Sequence, residues 1–166
     1  MFKTGEYVVY GYSGVCLVED LTEMETPGTG EMSTYYVLSP IKTRASKVFA
    51  PVESKKPIRA VMTREEAEAF LDSIAEIEPL EITSDKHREE EYKRVMKTCD
   101  CREWIRIIKT LYNRREERLD RGKQITAMDS RYWKSAEEYL YSELSISLDL
   151  DYDQVGEFLK SRLDGK

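Results

Sequence analysis

The sequence predicts a two-domain α+β chain, with a small SH3-like or Tudor-like β-barrel at residues 1–56 and an all-α domain of about five helices at residues 57–166. Short runs of β-branched and aromatic residues, separated by glycine and proline, fill the first part. Capped amphipathic patterns of helical period fill the second part. The change falls at Lys55-Lys56-Pro57, where a charged stretch with a proline separates the two patterns.

The N-terminal run from Phe2 to Asp20 is predicted to form a β-hairpin. Residues 7–10 and 15–18 are mainly β-branched or aromatic, which suits a half-buried pleated surface. Gly5 and Gly14 stand at the turns, where the chain needs backbone angles that other residues resist. Two strands joined in this way begin a small curled sheet.

Further strands complete the predicted β domain. Residues 24–33 contain Pro27, Gly28 and Gly30 and are interpreted as a loop. Residues 34–38 form a strand that ends at Ser39-Pro40, and residues 47–52 form another, with Pro51 at an edge or an end. Four or five such strands favour a barrel with an exposed edge, which could accept a strand from a partner protein.

Capping residues and apolar periodicity predict the helices. Thr63 and Glu66 form a capping box that opens the first helix, and a second helix runs from about residue 85 to residue 98. Asp100 opens a third helix that ends near Gly122, Thr126 opens a fourth, and Asp151 opens a short fifth. The positions predicted to face the core are Ala67, Phe70, Leu71, Ile74, Tyr92, Val95, Met96, Trp104, Ile107, Ile108, Leu111, Tyr112, Tyr132, Trp133, Ala136, Leu140, Leu144, Val155, Phe158 and Leu159.

Composition predicts a cytoplasmic protein. Hydrophobic residues make up 40% of the chain and charged residues 35%. No apolar run approaches the roughly 18 residues of a membrane helix, and the first residues lack the apolar segment of a secretory signal. Three cysteines give an odd count, which fits a reducing compartment better than a disulfide framework.

Catalytic and metal-binding patterns are not found in the sequence. The single histidine, His87, lies in a charged run, and no G-x-S-x-G element, P-loop or dinucleotide fingerprint is present. Cys99, Cys101 and His87 give three possible zinc ligands where four are usual, and Asp100 is better used as a helix cap. We therefore expect no enzymatic activity, no cofactor and no metal.

A basic segment lies between acidic flanks. The chain has a net charge of −6, yet residues 86–123 contain 13 lysines or arginines and 8 acidic residues. Such a segment could contact phosphates. It could instead be a solvated helix surface, since acidic residues are interleaved at i,i+3 and i,i+4 spacings that allow ion pairs, and residues 114–118 have the pattern of an ordinary exposed face. Both interpretations stay open on these residues alone.

The chain resembles the CarD/CdnL family of bacterial transcription regulators. The opening motif K-x-G-x-x-V-V-Y-x-x-x-G-x-x-x-V-E, which begins at Lys3, carries the first part of the likeness. The remaining matches, in order, are Tyr35 to Leu38, Val48 to Pro51, Glu91 to Lys93, and residues 107–112, 125–127 and 136–144. The N-terminal domain alone is also similar to the polymerase-binding domain of transcription-repair coupling factors.

This resemblance implies a Tudor-like N-terminal domain that docks on the β subunit of RNA polymerase by edge-strand pairing. It implies a helical domain that reaches promoter DNA at the upstream edge of the bubble and stabilises the open complex, with no membrane and no small-molecule substrate involved. By position, the polymerase surface comprises Glu23, Met24, Glu25, Thr26, Lys47, Val48, Phe49, Ala50 and Pro51. The DNA surface comprises Lys86, His87, Arg88, Lys93 and Arg131.

Two positions depart from the family pattern. Many members carry a tryptophan, which wedges into the minor groove, shortly before the position of Tyr92, whereas this chain has Lys86-His87-Arg88-Glu89. Some members carry an arginine where this chain has Phe49. The alternative function is therefore a protein–protein adaptor that binds RNA polymerase or another protein without direct DNA contact.

Overall fold

Within the described residues the chain forms a five-stranded antiparallel sheet, and four of its strands lie where the sequence predicts strands. The strands are β1 (Tyr7–Tyr10), β2 (Gly14–Glu25), β3 (Met32–Pro40), β4 (Val48–Pro51) and β5 (Ile58–Ala60), in the order β4-β3-β2-β1-β5. The computed structural model describes residues 1–43 and 46–164. Within these residues no pairing joins β4 to β5, so the sheet is open and the predicted barrel is not closed.

The last strand lies beyond the predicted end of the first domain. β5 pairs with β1, with Ile58 opposite Tyr10, and the Val61 N–H donates to the Tyr7 carbonyl at 3.2 Å. The chain divides into two compact units after this strand, Met1–Val61 and Met62–Lys166. The boundary proposed from the sequence, after residue 56, falls before β5, because a three-residue strand is defined by its pairing with β1 more than by its own composition.

β2 and β3 extend through both ends of the segment that the sequence predicts as a loop. Glu25 pairs with Met32, and the Thr26 N–H donates to the Glu31 carbonyl at 2.7 Å. Only residues 26–31 connect the two strands, so the loop predicted for residues 24–33 is too long. A register shift between Val18 and Asp20 marks a bulge in β2.

The core of the β unit lies on one face of this sheet. Its buried residues are Val8, Tyr10, Cys16, Val18, Tyr36, Leu38 and Ala50. Phe2 packs against this cluster, with its ring centroid 5.7 Å from that of Tyr36, and its N–H donates to the Tyr36 hydroxyl at 3.0 Å. The residues before β1 therefore help to cover the core.

Five α-helices follow in the part of the chain that the structure describes, and three of the predicted caps are confirmed. They are α1 (Arg64–Ser73), α2 (Arg88–Met96), α3 (Cys101–Asp120), α4 (Ala127–Leu148) and α5 (Tyr152–Asp164), and a 3-10 turn at Asp85–His87 precedes α2. The side chains of Thr63, Asp100 and Thr126 each accept a hydrogen bond from a backbone N–H of the helix they begin. Within the described residues, none of these helices is long and apolar enough to cross a membrane.

The helical core contains most of the predicted apolar positions. Trp104, Ile107 and Leu111 of α3 and Leu140 and Leu144 of α4 are each at most 1% exposed. The prediction was wrong for Tyr112, which is 49% exposed. Tyr132 and Trp133 are only partly buried.

Side chains in the C-terminal half of α4 form hydrogen bonds with Met62, the first residue of the helical unit. Glu143 has no exposed surface, and its Oε2 accepts a hydrogen bond from the Met62 N–H at 2.9 Å. The Ser147 hydroxyl donates to the Met62 carbonyl at 2.7 Å, and Arg64 Nη2 donates to the Leu148 carbonyl at 2.9 Å. Both backbone groups of Met62 are therefore satisfied by α4.

Candidate functional site

The residues predicted to bind a protein partner lie on two strands that β3 separates. Val48–Pro51 form β4, Lys47 precedes it, Glu23 to Glu25 end β2, and Thr26 follows β2. Because neighbouring strands are about 4.8 Å apart, the two segments lie about 10 Å apart across the sheet. The structure therefore places them in one sheet without making them neighbours.

β4 is an edge strand with an unpaired side. The Val52 N–H donates to the Thr34 carbonyl at 3.0 Å, so residue 52 faces β3. Backbone direction alternates along an antiparallel strand, so Ala50 and Val48 also face β3, whereas Phe49 faces outward. Pro51 has no N–H, so Phe49 provides the outward N–H of this strand.

The side chain of Phe49 is exposed beside this unpaired backbone. It is 47% exposed and lies opposite Val37, on the face of the sheet that does not carry Tyr36 and Ala50 of the core. Lys47, just before the strand, forms an ion pair with Glu19. An open backbone edge with an exposed aromatic ring is suited to strand addition, in which hydrogen bonds give affinity and side-chain contacts give specificity.

Four of the five residues predicted to bind DNA are exposed. Lys86 and His87 lie in the 3-10 turn before α2, Lys93 lies on α2, and Arg131 lies on α4. Lys93 Nζ is 3.6 Å from Glu89 Oε1, and Arg131 Nη2 is 3.2 Å from Glu89 Oε2. Glu89 therefore brings Lys93 and Arg131 together across two helices, and it also neutralises part of their charge.

Arg88 has a different environment, since its side chain is only 12% exposed. Its Nη2 lies 3.0 Å from Asp85 Oδ1, and its Nη1 donates to the Tyr92 hydroxyl at 3.0 Å. The Tyr92 hydroxyl in turn donates to Asp129 Oδ1 at 3.2 Å, and Arg114 Nε donates to Asp129 Oδ2 at 2.6 Å. The guanidinium of Arg88 is thus committed to a network inside the helical unit.

The electrostatics of this network follow from burial and from the two arginines. Asp129 has no exposed surface and accepts hydrogen bonds from Tyr92 and Arg114. The hydrogen bond from Arg88, followed by the charge of Arg114, holds the pKa of the Asp85 carboxyl below its usual value. Burial raises the pKa of the Tyr92 hydroxyl. The network therefore keeps Asp85 ionised and Tyr92 neutral near pH 7.

The partnership of Arg114 with Asp129 could not be recognised from the sequence. A solvated helix face is one of the two interpretations that the sequence leaves open for Arg114, and it does not hold for this residue, because its side chain is only 20% exposed. The two residues are on different helices, and no local pattern links them. Other basic residues do pair at the surface as that interpretation expects, for example Arg94 with Glu91 at 2.9 Å.

An aromatic and cationic cluster joins α3 to α4. The Arg115 guanidinium carbon lies 4.7 Å from the centroid of the Trp133 ring and 5.2 Å from that of Tyr112. Trp133 Nε1 donates to Glu137 Oε1 at 2.8 Å. The one tryptophan near the helix surface is thus held by a stacked arginine and a carboxylate, which fixes its ring against α3.

The candidate metal ligands differ in their exposure to solvent. Cys99 and Cys101, like Cys16, are buried thiols, whereas the side chain of His87 is 62% exposed. In the part of the chain that the structure describes, no group of three or more His, Cys, Asp or Glu residues could hold a metal ion. Cys99 has a left-handed backbone with φ 59° and leads directly into the Asp100 cap of α3.

Comparison with known proteins assigns both units to described families. A family model described as the CarD-like/TRCF RID domain matches residues 2–62. A second model, described as the CarD C-terminal domain, matches residues 65–160. No curated protein matches the chain.

Proposed function

Because the chain belongs to the CarD-like family of non-enzymatic transcription regulators that interact with RNA polymerase, we propose that it docks on the polymerase β subunit and stabilises the promoter open complex. The docking element is the unpaired edge of β4, completed by the segment Glu23 to Thr26 on the same sheet. The helical unit then presents its exposed basic residues to promoter DNA at the upstream edge of the bubble.

The open edge at Phe49 is the observation that carries the docking proposal. The outward N–H and C=O of Phe49 can pair with a strand of the partner, and its exposed ring can fill a pocket on that partner. Met24 lies on the same face of the sheet as Phe49, because both alternate with residues of the core face. A partner strand beside β4 would therefore meet one apolar face that extends over β3 towards β2.

Replacing Phe49 by proline and by alanine separates the contribution of its backbone N–H from that of its ring. Phe49→Pro removes the outward N–H without removing a hydrogen bond to β3, and Phe49→Ala removes only the ring. We expect Phe49→Pro to bind the isolated polymerase β lobe about tenfold more weakly than Phe49→Ala, since one lost hydrogen bond at a buried site costs about 1–1.5 kcal/mol. A pull-down and a binding titration measure this. Equal binding by the two variants would contradict strand pairing at β4, and no binding of the natural chain to the lobe would end the docking proposal.

The DNA contact proposed for the helical unit is electrostatic and weak by itself. Lys86, His87, Lys93 and Arg131 are exposed. Arg88 binds Tyr92 and Asp85, and Asp85 is the first residue of the 3-10 turn that contains Lys86 and His87. Docking on polymerase raises the local concentration of these residues at the DNA, so weak phosphate contacts become effective.

Charge reversal at three of these residues tests the DNA contact. We expect the triple variant Lys86→Glu, Lys93→Glu and Arg131→Glu to lose the effect on open-complex lifetime while it binds the β lobe as before. The matched control reverses three exposed lysines elsewhere in the same unit, Lys123, Lys134 and Lys160, and so has the same net charge. Loss of the lifetime effect in both variants would show a response to net charge, and would contradict a specific DNA surface.

A second candidate function has its own support. Glu89 partly neutralises Lys93 and Arg131, and the family's wedge tryptophan has no counterpart before Tyr92. An adaptor that binds polymerase or another protein without touching DNA would suit both features. Such an adaptor would keep its effect on open-complex lifetime in the triple charge-reversal variant, so the same experiment decides between the two functions.

A further inference from the structure

The outer half of β2 has a neighbour on only one side. β1 pairs with Gly14 to Leu17 of β2, and two backbone bonds from residues 5 and 6 extend this contact to Val18. β3 continues to pair with β2 as far as Glu25. Among the described residues nothing pairs with the other side of residues 21–25, which we call the distal edge of β2.

The hairpin turn fixes the direction of the backbone groups on the distal edge. Thr26 donates to Glu31, so residue 26 faces β3. Because direction alternates along an antiparallel strand, Glu25, Glu23 and Leu21 direct both N–H and C=O away from β3.

One of these outward groups already has a partner within β2. The Leu21 N–H donates to the Asp20 carboxylate at 2.8 Å, as expected for a backbone group with no strand beside it. The N–H groups of Glu23 and Glu25 remain as donors, and the carbonyls of residues 21, 23 and 25 remain as acceptors. The distal edge thus offers more outward N–H groups than β4, where Phe49 provides one.

The distal edge carries two acidic side chains, Glu23 and Glu25, and lies in an acidic stretch of the chain. Residues 19–34 contain five carboxylates and no lysine, arginine or histidine. Glu19 pairs with Lys47, and the other four are exposed and have no cationic partner among the described residues. Glu23 and Glu25 lie on the same face of β2, about 7 Å apart along the strand.

We propose that the distal edge of β2 binds an extended segment of a partner protein that carries lysine or arginine at two alternate positions. Pairing with such a segment would satisfy the N–H groups of Glu23 and Glu25. The residues directly opposite these two would project from the same face, with Cβ atoms about 5 Å away, where opposite charges stabilise a strand pair. This goes beyond the proposed function, although both use residues of the segment Glu23 to Thr26. Polymerase docking pairs with the edge of β4 and meets this segment through the face that carries Met24, whereas the inference uses the backbone edge of β2 and the opposite face, which carries Glu23 and Glu25.

A second copy of this chain is a poor occupant of the same edge. Pairing of two distal edges would bring Glu23 and Glu25 close to the same residues of the other copy. Like charges at such positions destabilise strand pairing, and charged side chains are a common protection of edge strands against self-association. The negative charges of Glu23 and Glu25 favour pairing with a strand that carries lysine or arginine instead.

A peptide titration followed by amide NMR tests the inference on the full chain. The probe is an eight-residue peptide, acetylated and amidated at its ends, in which lysine alternates with threonine. We expect amide shifts concentrated in residues 20–26 and slower hydrogen exchange at the N–H groups of Glu23 and Glu25. The double variant Glu23→Lys and Glu25→Lys should bind at least tenfold more weakly. The matched control, Glu6→Lys and Glu53→Lys, has the same charge in the same unit and should bind as the natural chain does.

Three results would overturn the inference. The first is the absence of shifts in residues 20–26 of the natural chain at millimolar peptide. The second is equal weakening in both double variants. The third is equal binding by a peptide of the same charge with proline in place of threonine, because that peptide cannot form a strand ladder. The first and third results concern the natural chain, so they do not depend on the folding of any variant.

Discussion

Replacing Asp129 by alanine is expected to lower the free energy of unfolding of the helical unit by about 3–5 kcal/mol, the usual cost of removing one member of a buried ion pair. Asp129 has no exposed surface and accepts hydrogen bonds from Arg114 at 2.6 Å and from Tyr92 at 3.2 Å. Its removal leaves the largely buried Arg114 guanidinium with the exposed Asp85, 3.4 Å from its Nη1, as its remaining carboxylate partner among the described residues. The Thr126 cap of α4 should persist, because it uses the backbone N–H of Asp129.

Urea unfolding followed by circular dichroism measures the loss. Asp120→Ala is the matched control, because Asp120 is exposed at the end of α3 and its replacement should change the free energy of unfolding by no more than about 0.5 kcal/mol. A loss below about 1 kcal/mol for Asp129→Ala would show that Arg114 finds another partner or reaches water. The network would then not be the element that joins α2, α3 and α4.

Replacing Glu143 by alanine is expected to lower the free energy of unfolding by about 2–3 kcal/mol, because the Met62 N–H loses its acceptor and a cavity forms beside α4. Glu143→Gln keeps an amide oxygen near the Oε2 position, so it should lose less than half as much. Unfolding free energies of both variants measure this, together with hydrogen exchange at the Met62 N–H, which should become faster in the alanine variant. Equal losses in the two variants would show that the hydrogen bond to Met62 is not the cause.

The parts of the fold that could be predicted from the sequence are those with local causes. Thr63, Asp100 and Thr126 each satisfy a backbone N–H two or three residues further along the chain, so the capping signal and the helix start lie within one turn. The apolar stripe of α3 likewise has a period that can be counted along the chain, and its central residues are buried.

The parts that the sequence could not predict depend on distant partners. β5 is a strand because β1 lies beside it, and β2 is long because β3 pairs with it as far as Glu25. Arg88 and Arg114 look like exposed basic residues in a charged run, and only the fold brings Asp129 within reach of the network that holds both. The number of basic residues can therefore be read from the sequence. Whether a given one is free to bind a phosphate depends on which carboxylates the fold places beside it.

For the candidate site, the sequence predicts which strands are involved but not which backbone groups point outward. Position in the family pattern selects β4 and the end of β2, but it gives no information on the direction of backbone groups. That direction follows from the Thr26–Glu31 and Val52–Thr34 hydrogen bonds, which depend on the register of β3 with its two neighbours. Only the register identifies Phe49, Glu23 and Glu25 as residues that offer backbone groups to a partner.

The burial of all three cysteines makes this chain convenient for labelling. A thiol reacts with maleimides as an accessible thiolate, and Cys16, Cys99 and Cys101 are shielded within the two folded units. A fluorophore could therefore be attached to one introduced cysteine, such as Thr29→Cys in the exposed β2–β3 connection, with the natural cysteines left in place. A change in its fluorescence would report the binding of a partner near the hairpin in real time.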